Sequence, residues 1–173
     1  MSDYGKLIAA DAVQFERRLP GPIEKVWKYL VDSELRGSWL ASGELEPRQG
    51  GKVTLFFQHA NLTPHGEKPP EKYKEMEKGV TAVGTVTCFE PPTRLAFTWS
   101  GESEVTFELS AKGADVLLTL THRRLAKRED RVNTSAGWHS HLGVLEERLR
   151  GETPSPFWPR VEKFDREYAG RIP

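Results

Sequence analysis

Three histidines in this chain of 173 residues stand where they could do chemistry. His122 ends the Val116, Leu118, Leu120 face of an alternating segment, which aims it at the mouth of the interior. His141 sits one step off a helical stripe of Trp138, Leu142, Leu145 and Leu149, and His59 follows Phe57 on its strand face. Converging, they could act as general bases or orient a ligand, because imidazole titrates near neutrality. The alternative is that each is separately hydrogen-bonded at the edge of the core. A metal is disfavoured, since His139 and His141 are two apart and such residues do not share a helix face. Cys88, followed by Phe89 in a strand, reads as a buried, inert thiol.

No catalytic or cofactor signature accompanies the histidines. Gly50-Gly51 makes a turn without the Lys-Ser/Thr pair of a phosphate loop, and Cys-x-x-Cys, His-Glu-x-x-His and Gly-x-Ser-x-Gly are all missing. No cofactor is expected. The aromatic residues give a second clue. Trp39, Phe57, Trp99, Phe107 and Trp138 fall on faces that point inward, and two readings stay open. They fill the core, or some of them line a hollow kept free for an apolar guest. Trp27 and Trp158 read as packing residues.

Composition narrows the partners. Lys plus Arg (25) equals Asp plus Glu (25), so no sequence-wide field attracts a phosphate backbone and nucleic acid is not expected. Nowhere does a run of about 18 apolar residues occur, and the first residues do not resemble a secretory leader. A single cysteine cannot form an intramolecular disulfide, and together these features suggest the cytoplasm.

The elements that position these side chains are legible from periodicity. Residues 12–19 alternate as a strand, with Val13, Phe15 and Leu19 facing in. Arg17 shares that face by parity and would need a carboxylate partner if buried; it is read instead as a strand-edge side chain reaching water. Behind Pro20-Gly21-Pro22, the spacing of Ile23, Val26, Trp27 and Leu30 predicts an amphipathic helix, and Ser33 looks like the cap of a shorter one. The period then changes to two for a run of about six strands between Val53 and His122. Long connections are usually functional or disordered, so 60–78, with Pro64, Pro69 and Pro70, reads as a lid or as a solvated loop. A long helix is predicted from about Thr134 to Arg150, capped by Asn133 and stopped by Gly151. The charges from Leu125 to Arg131 read as a loop. The run from Thr153 to Pro159 reads as irregular, followed by a short apolar face of Val161, Phe164 and Tyr168.

This order resembles the helix-grip fold of the START-like (SRPBCC) superfamily, an α+β fold. In it a curved antiparallel sheet surrounds a long C-terminal helix, with two short helices after the first strand. Several stretches resemble the branch related to the C-terminal domain of the activator of the Hsp90 ATPase. They are Pro22-Ile23-Glu24-Lys25-Val26-Trp27, Glu46-Pro47-Arg48-Gln49-Gly50-Gly51, the run from Pro91 to Trp99, Leu118 to His122, and Gly137 to Leu142. Pro156-Phe157-Trp158 and Tyr168 resemble one bacterial subgroup. The resemblance implies a helix-grip domain over 1–151 and a tail over 152–173 that docks on the body or on a partner chain. It also implies an elongated apolar cavity between sheet and helix, where relatives hold lipids, sterols or polyketides.

The resulting expectation is a binder of a small hydrophobic or amphipathic molecule. The candidate contacts are Trp39, Phe57, His59, Trp99, Phe107, His122, Trp138, His141, Leu142 and Leu145. Alternatives are a cyclase or hydrolase in the same cavity, and a chaperone-assisting or stress-related interaction module. The eukaryotic activator carries an additional N-terminal domain, whereas this chain starts at the first strand, which weakens the chaperone alternative. Self-association through the Phe157–Tyr168 tail is a further option.

Overall fold

The computed structural model describes residues 2–173. Seven strands form one antiparallel sheet: β1 (Lys6–Ala9), β2 (Ala12–Pro20), β3 (Lys52–Phe57), β4 (Val80–Glu90), β5 (Arg94–Thr98), β6 (Glu104–Lys112) and β7 (Asp115–Arg123). Their order across the sheet is β1-β2-β7-β6-β5-β4-β3. The chain thus lays β3 to β7 as a meander and closes it with β2, which pairs Phe15 with Leu120 and Val13 with His122. Five strands, rather than about six, lie between the short helices and the long one.

Alternation works as the sequence implied. On β7, Val116, Leu118, Leu120 and His122 are buried, and on β6 Val105, Phe107 and Leu109 join them. Each such large apolar side chain contributes roughly 1.5–3 kcal/mol on leaving water. The sheet bends where β4 carries an irregularity between Val86 and Cys88. There the strands come so close that a Cβ on Gly84 would lie 2.2 Å from the Thr98 carbonyl oxygen, so only glycine fits.

Helices α1 (Ile23–Val31) and α2 (Ser33–Gly37) close one end. Asp32, not Ser33, caps α2: its carboxylate accepts from the Leu35 N–H at 2.9 Å, while the Ser33 hydroxyl accepts from the Gly43 N–H. Arg36 is buried without a carboxylate partner. Its guanidinium donates to the carbonyls of Ala41, Leu30 and Gly43, which satisfies backbone oxygens where the chain turns back. Burial lowers its pKa to about 10, so it keeps its charge.

Helix α3 (Arg128–Leu149) begins six residues before the predicted start at Thr134, and Asn133 is inside it rather than its cap. Glu129 and Asp130 in its first turn suit the positive end of the helix dipole. Arg131 donates to the carbonyls of Leu125 and Ala126, and Arg128 to those of Ala169 and Ile172. Of the charged stretch read as a loop, residues 125–127 are outside the helix and Arg128 to Arg131 are its tied-down first turn.

Helix α4 (Phe157–Arg171) is also longer than predicted and takes in the Phe157-Trp158-Pro159 run. Proline is tolerated there because first-turn N–H groups have no helical acceptor. Phe157, Trp158, Val161, Phe164 and Tyr168 are buried in the same core as the sheet. The apolar face considered for self-association is thus covered by its own chain.

Two further expectations are corrected. Arg17 does not reach water: its side chain is 3% exposed, and its Nε lies 3.2 Å from Oε1 of Glu146 on α3. Cys88 is only half-buried, and its thiol donates to the Glu90 carboxylate.

Candidate functional site

At one end of the sheet–helix interior lies a cavity of about 490 Å³. Its floor is Trp99, at the end of β5, against Trp138 of α3, with ring centres 5.2 Å apart. Phe57, at the end of β3, meets the edge of Trp99 at 5.5 Å. One wall is built from His59, His141 and Phe157, with His141 4.8 Å from Phe157 and His59 5.2 Å from it. Tyr73 stacks on Trp158 at 5.3 Å, and Trp158 in turn lies 4.9 Å from His59, which extends that wall.

Of the residues named from the sequence, Phe57, His59, Trp99, Trp138 and His141 line this hollow. Trp39, Phe107, Leu142 and Leu145 do not. They are fully buried behind it, where the sheet closes onto α3 and side chains fill the space. His122 is likewise behind the floor: its Nδ1 accepts from the Trp138 indole N–H at 2.9 Å, which orients that ring. The three histidines therefore do not converge. His59 and His141 meet at 5.6 Å in the wall, and His122 stands apart from them.

Several lining residues lacked a local signal. Tyr73 and Met76 come from the 60–78 connection, which forms two short 3-10 segments. Phe157, Trp158 and Val161 come from the tail, so Trp158 is cavity wall as well as packing. The two segments are strapped together. The Glu67 carboxylate accepts from the N–H groups of Phe157 at 2.8 Å and Trp158 at 3.0 Å, serving as the cap that α4 lacks in its own sequence. Tyr73 donates to Asp165, and Lys72 pairs with the same carboxylate at 3.3 Å.

The wall contains no Lys, Arg, Asp or Glu. Its imidazoles are neutral at pH 7. Burial lowers His59 to about 4. Burial, assisted by proximity to His59, lowers His141 to about 3, against the opposing hydrogen bond to the Trp39 backbone. Burial, with Asp165 beside it, holds the Tyr73 phenol above its ordinary range. No group of three His, Cys, Asp or Glu that could hold a metal ion occurs among the described residues.

Gly137 is the remaining unusual feature. It lies inside α3 and lines the cavity, and a Cβ added there would meet nothing within 4 Å. Glycine in a helix interior costs about 0.8–1 kcal/mol relative to alanine. No neighbouring atom requires that cost, so what the glycine preserves is open volume on the cavity side of the helix.

A curved antiparallel sheet gripping one long helix, with an aromatic hollow between them, defines an α+β helix-grip protein of the START-like class. Residues 20–150 match the family described as activator of Hsp90 ATPase homolog 1-like protein, and the chain belongs to that family. No curated protein matches. Among solved structures, the chain is similar to the BPP1335 gene product of Bordetella parapertussis. Identity is 42%, with 99% of this chain and 91% of that one covered and a TM-score of 0.84. It is also similar to CalU16 of Micromonospora echinospora, at 25% identity over 96% of this chain and 93% of that one, with a TM-score of 0.67. DynU16, from the dynemicin biosynthetic locus, shares the fold at 19% identity over 86% of this chain and 50% of that one, with a TM-score of 0.63.

Proposed function

We propose that this protein binds a neutral, flat hydrophobic or amphipathic small molecule in the cavity between β3, β5, α3 and α4. The observation that carries this reading is a hollow of about 490 Å³ lined by aromatic rings and mostly apolar neighbours, without a single formal charge. Ligand sites are mostly apolar, with a few placed polar groups, and His59 and His141 fill that role here. A charged guest would leave water for a wall that offers no counter-ion, at a cost of several kcal/mol. The place of DynU16 in a biosynthetic locus accords with a small-molecule role at the level of the fold.

Binding is favoured over cyclase or hydrolase chemistry. A general base works best with a pKa near the operating pH, and burial takes both imidazoles well below it. They are suited to accept or donate a hydrogen bond rather than to carry a proton.

The test is a titration of the protein with N-phenyl-1-naphthylamine, a neutral fluorescent probe, and with its anionic sulfonated analogue. Saturable binding of the neutral probe, at least tenfold tighter than the anionic one, is expected. Preference for the anion, or no saturable binding of either, would refute the reading.

A further inference from the structure

We propose that the cavity selects an aromatic molecule bearing a hydroxyl group, which donates a hydrogen bond to Nε2 of His141 and accepts one from His59. This rests on the cavity being a ligand site and specifies the polar end of the ligand.

The orientation of His141 is fixed by its partner. Its Nδ1 lies 2.8 Å from the carbonyl oxygen of Trp39. A carbonyl can only accept, so Nδ1 carries the hydrogen, and the neutral ring must present Nε2 as an acceptor. No donor reaches that nitrogen among the described residues. His141 therefore asks for a donor, in a lining that is mostly apolar and carries no charged side chain.

His59 supplies the complementary half. It is 7% exposed, and its Nδ1 is buried with no hydrogen-bond partner. No hydrogen bond engages either ring nitrogen among the described residues, and a hydrogen on the enclosed Nδ1 would be a buried orphan donor, so the neutral ring is best served with its N–H on Nε2, free to donate. The two ring centres are 5.6 Å apart, a span that a single oxygen can bridge with two hydrogen bonds of about 2.8 Å.

Only a group that both donates and accepts satisfies the two histidines together. A ketone, quinone or ether oxygen accepts alone and leaves Nε2 of His141 unpaired once water is displaced. A phenol-type hydroxyl does both and remains uncharged at pH 7. That matches imidazoles kept neutral by burial and a wall without a cation to hold a phenolate. Its ring would lie against Trp99 and Trp138, where aromatic faces are available.

The experiment is calorimetric titration of the protein at pH 7 with 2-naphthol and with 2-methoxynaphthalene, which share the ring system and an accepting oxygen, the second having a methyl group in place of the donated hydrogen. Naphthol is expected to bind about tenfold tighter, the worth of one hydrogen bond to a buried acceptor. In His141→Phe the ratio should fall to within about twofold, with the methoxy compound still bound, whereas His59→Phe should weaken both compounds by a similar factor, since either oxygen can accept from His59. Equal affinities in the unaltered protein would overturn this inference and leave the cavity reading intact. Failure of both compounds to bind would overturn the two together.

Discussion

Arg17→Ala is expected to lower the unfolding free energy by about 3 kcal/mol, the lower end of the range for breaking a buried ion pair. Arg17 is almost wholly enclosed, whereas Glu146 keeps 20% exposure, which moderates the effect. Burial lowers the Arg17 pKa and raises that of Glu146, and each charge only partly offsets the other's desolvation. Both shifts point toward the neutral forms, so the intact pair is close to break-even. Removing one member is different, because the remaining charge keeps its desolvation without its partner. Arg17→Met combined with Glu146→Leu should accordingly recover most of the loss, since an apolar pair of similar volume replaces both charges. Urea midpoints for the two single variants and the double variant measure this. A double variant as unstable as the sum of the singles would show that the pair is not a coupled unit.

Acid should destabilise the fold well above the range in which ordinary carboxylates titrate. Burial lowers His59 and His122 to about 4, and His139 and His141 to about 3. In the unfolded chain each takes up a proton near pH 6.5. Between these limits the unfolded state binds more protons, so stability is complete above about pH 6.5 and falls as the pH drops toward 4. At pH 5 each histidine removes on the order of 1–2 kcal/mol. Four together approach the whole stability of an ordinary domain, about 5–15 kcal/mol. Urea midpoints taken from pH 7.5 down to 5 should decline steeply below 6.5. A midpoint constant across that interval would contradict the assignment of four buried neutral imidazoles.

The strands carrying inward residues were legible because each has one buried and one wetter face, as β7 shows from Val116 to His122. β1 gave no such signal: all of Lys6–Ala9 is exposed, and a strand without a buried side has no alternation to read. Arg17 was misplaced for a related reason. Parity put it on the inner face, but its partner Glu146 lies far along the chain on another element.

The cavity was half legible. Phe57, Trp99 and Trp138 follow from strand and helix faces, whereas Tyr73 and Trp158 stack only because Glu67, Lys72 and Asp165 bind two irregular segments together. Which inward aromatic rings fill space and which border it is decided by sheet curvature. Phe107 and Trp99 look alike in sequence, yet Phe107 is 1% exposed in the core and Trp99 faces the hollow. Gly137, a helix-interior glycine to which the sequence reading assigned no role, lies on the open side of the helix.

That glycine also provides the most direct test of a vacant, ligand-holding interior. Gly137→Phe attaches a ring at a cavity-lining helix position where a Cβ meets nothing within 4 Å, and phenylalanine is a better helix former than glycine. Titrating this variant with N-phenyl-1-naphthylamine beside the unaltered protein, with thermal melting of both, should show affinity reduced at least tenfold and a melting temperature unchanged or raised. A folded Gly137→Phe protein that binds the probe as well as the original would put the ligand elsewhere and contradict the account.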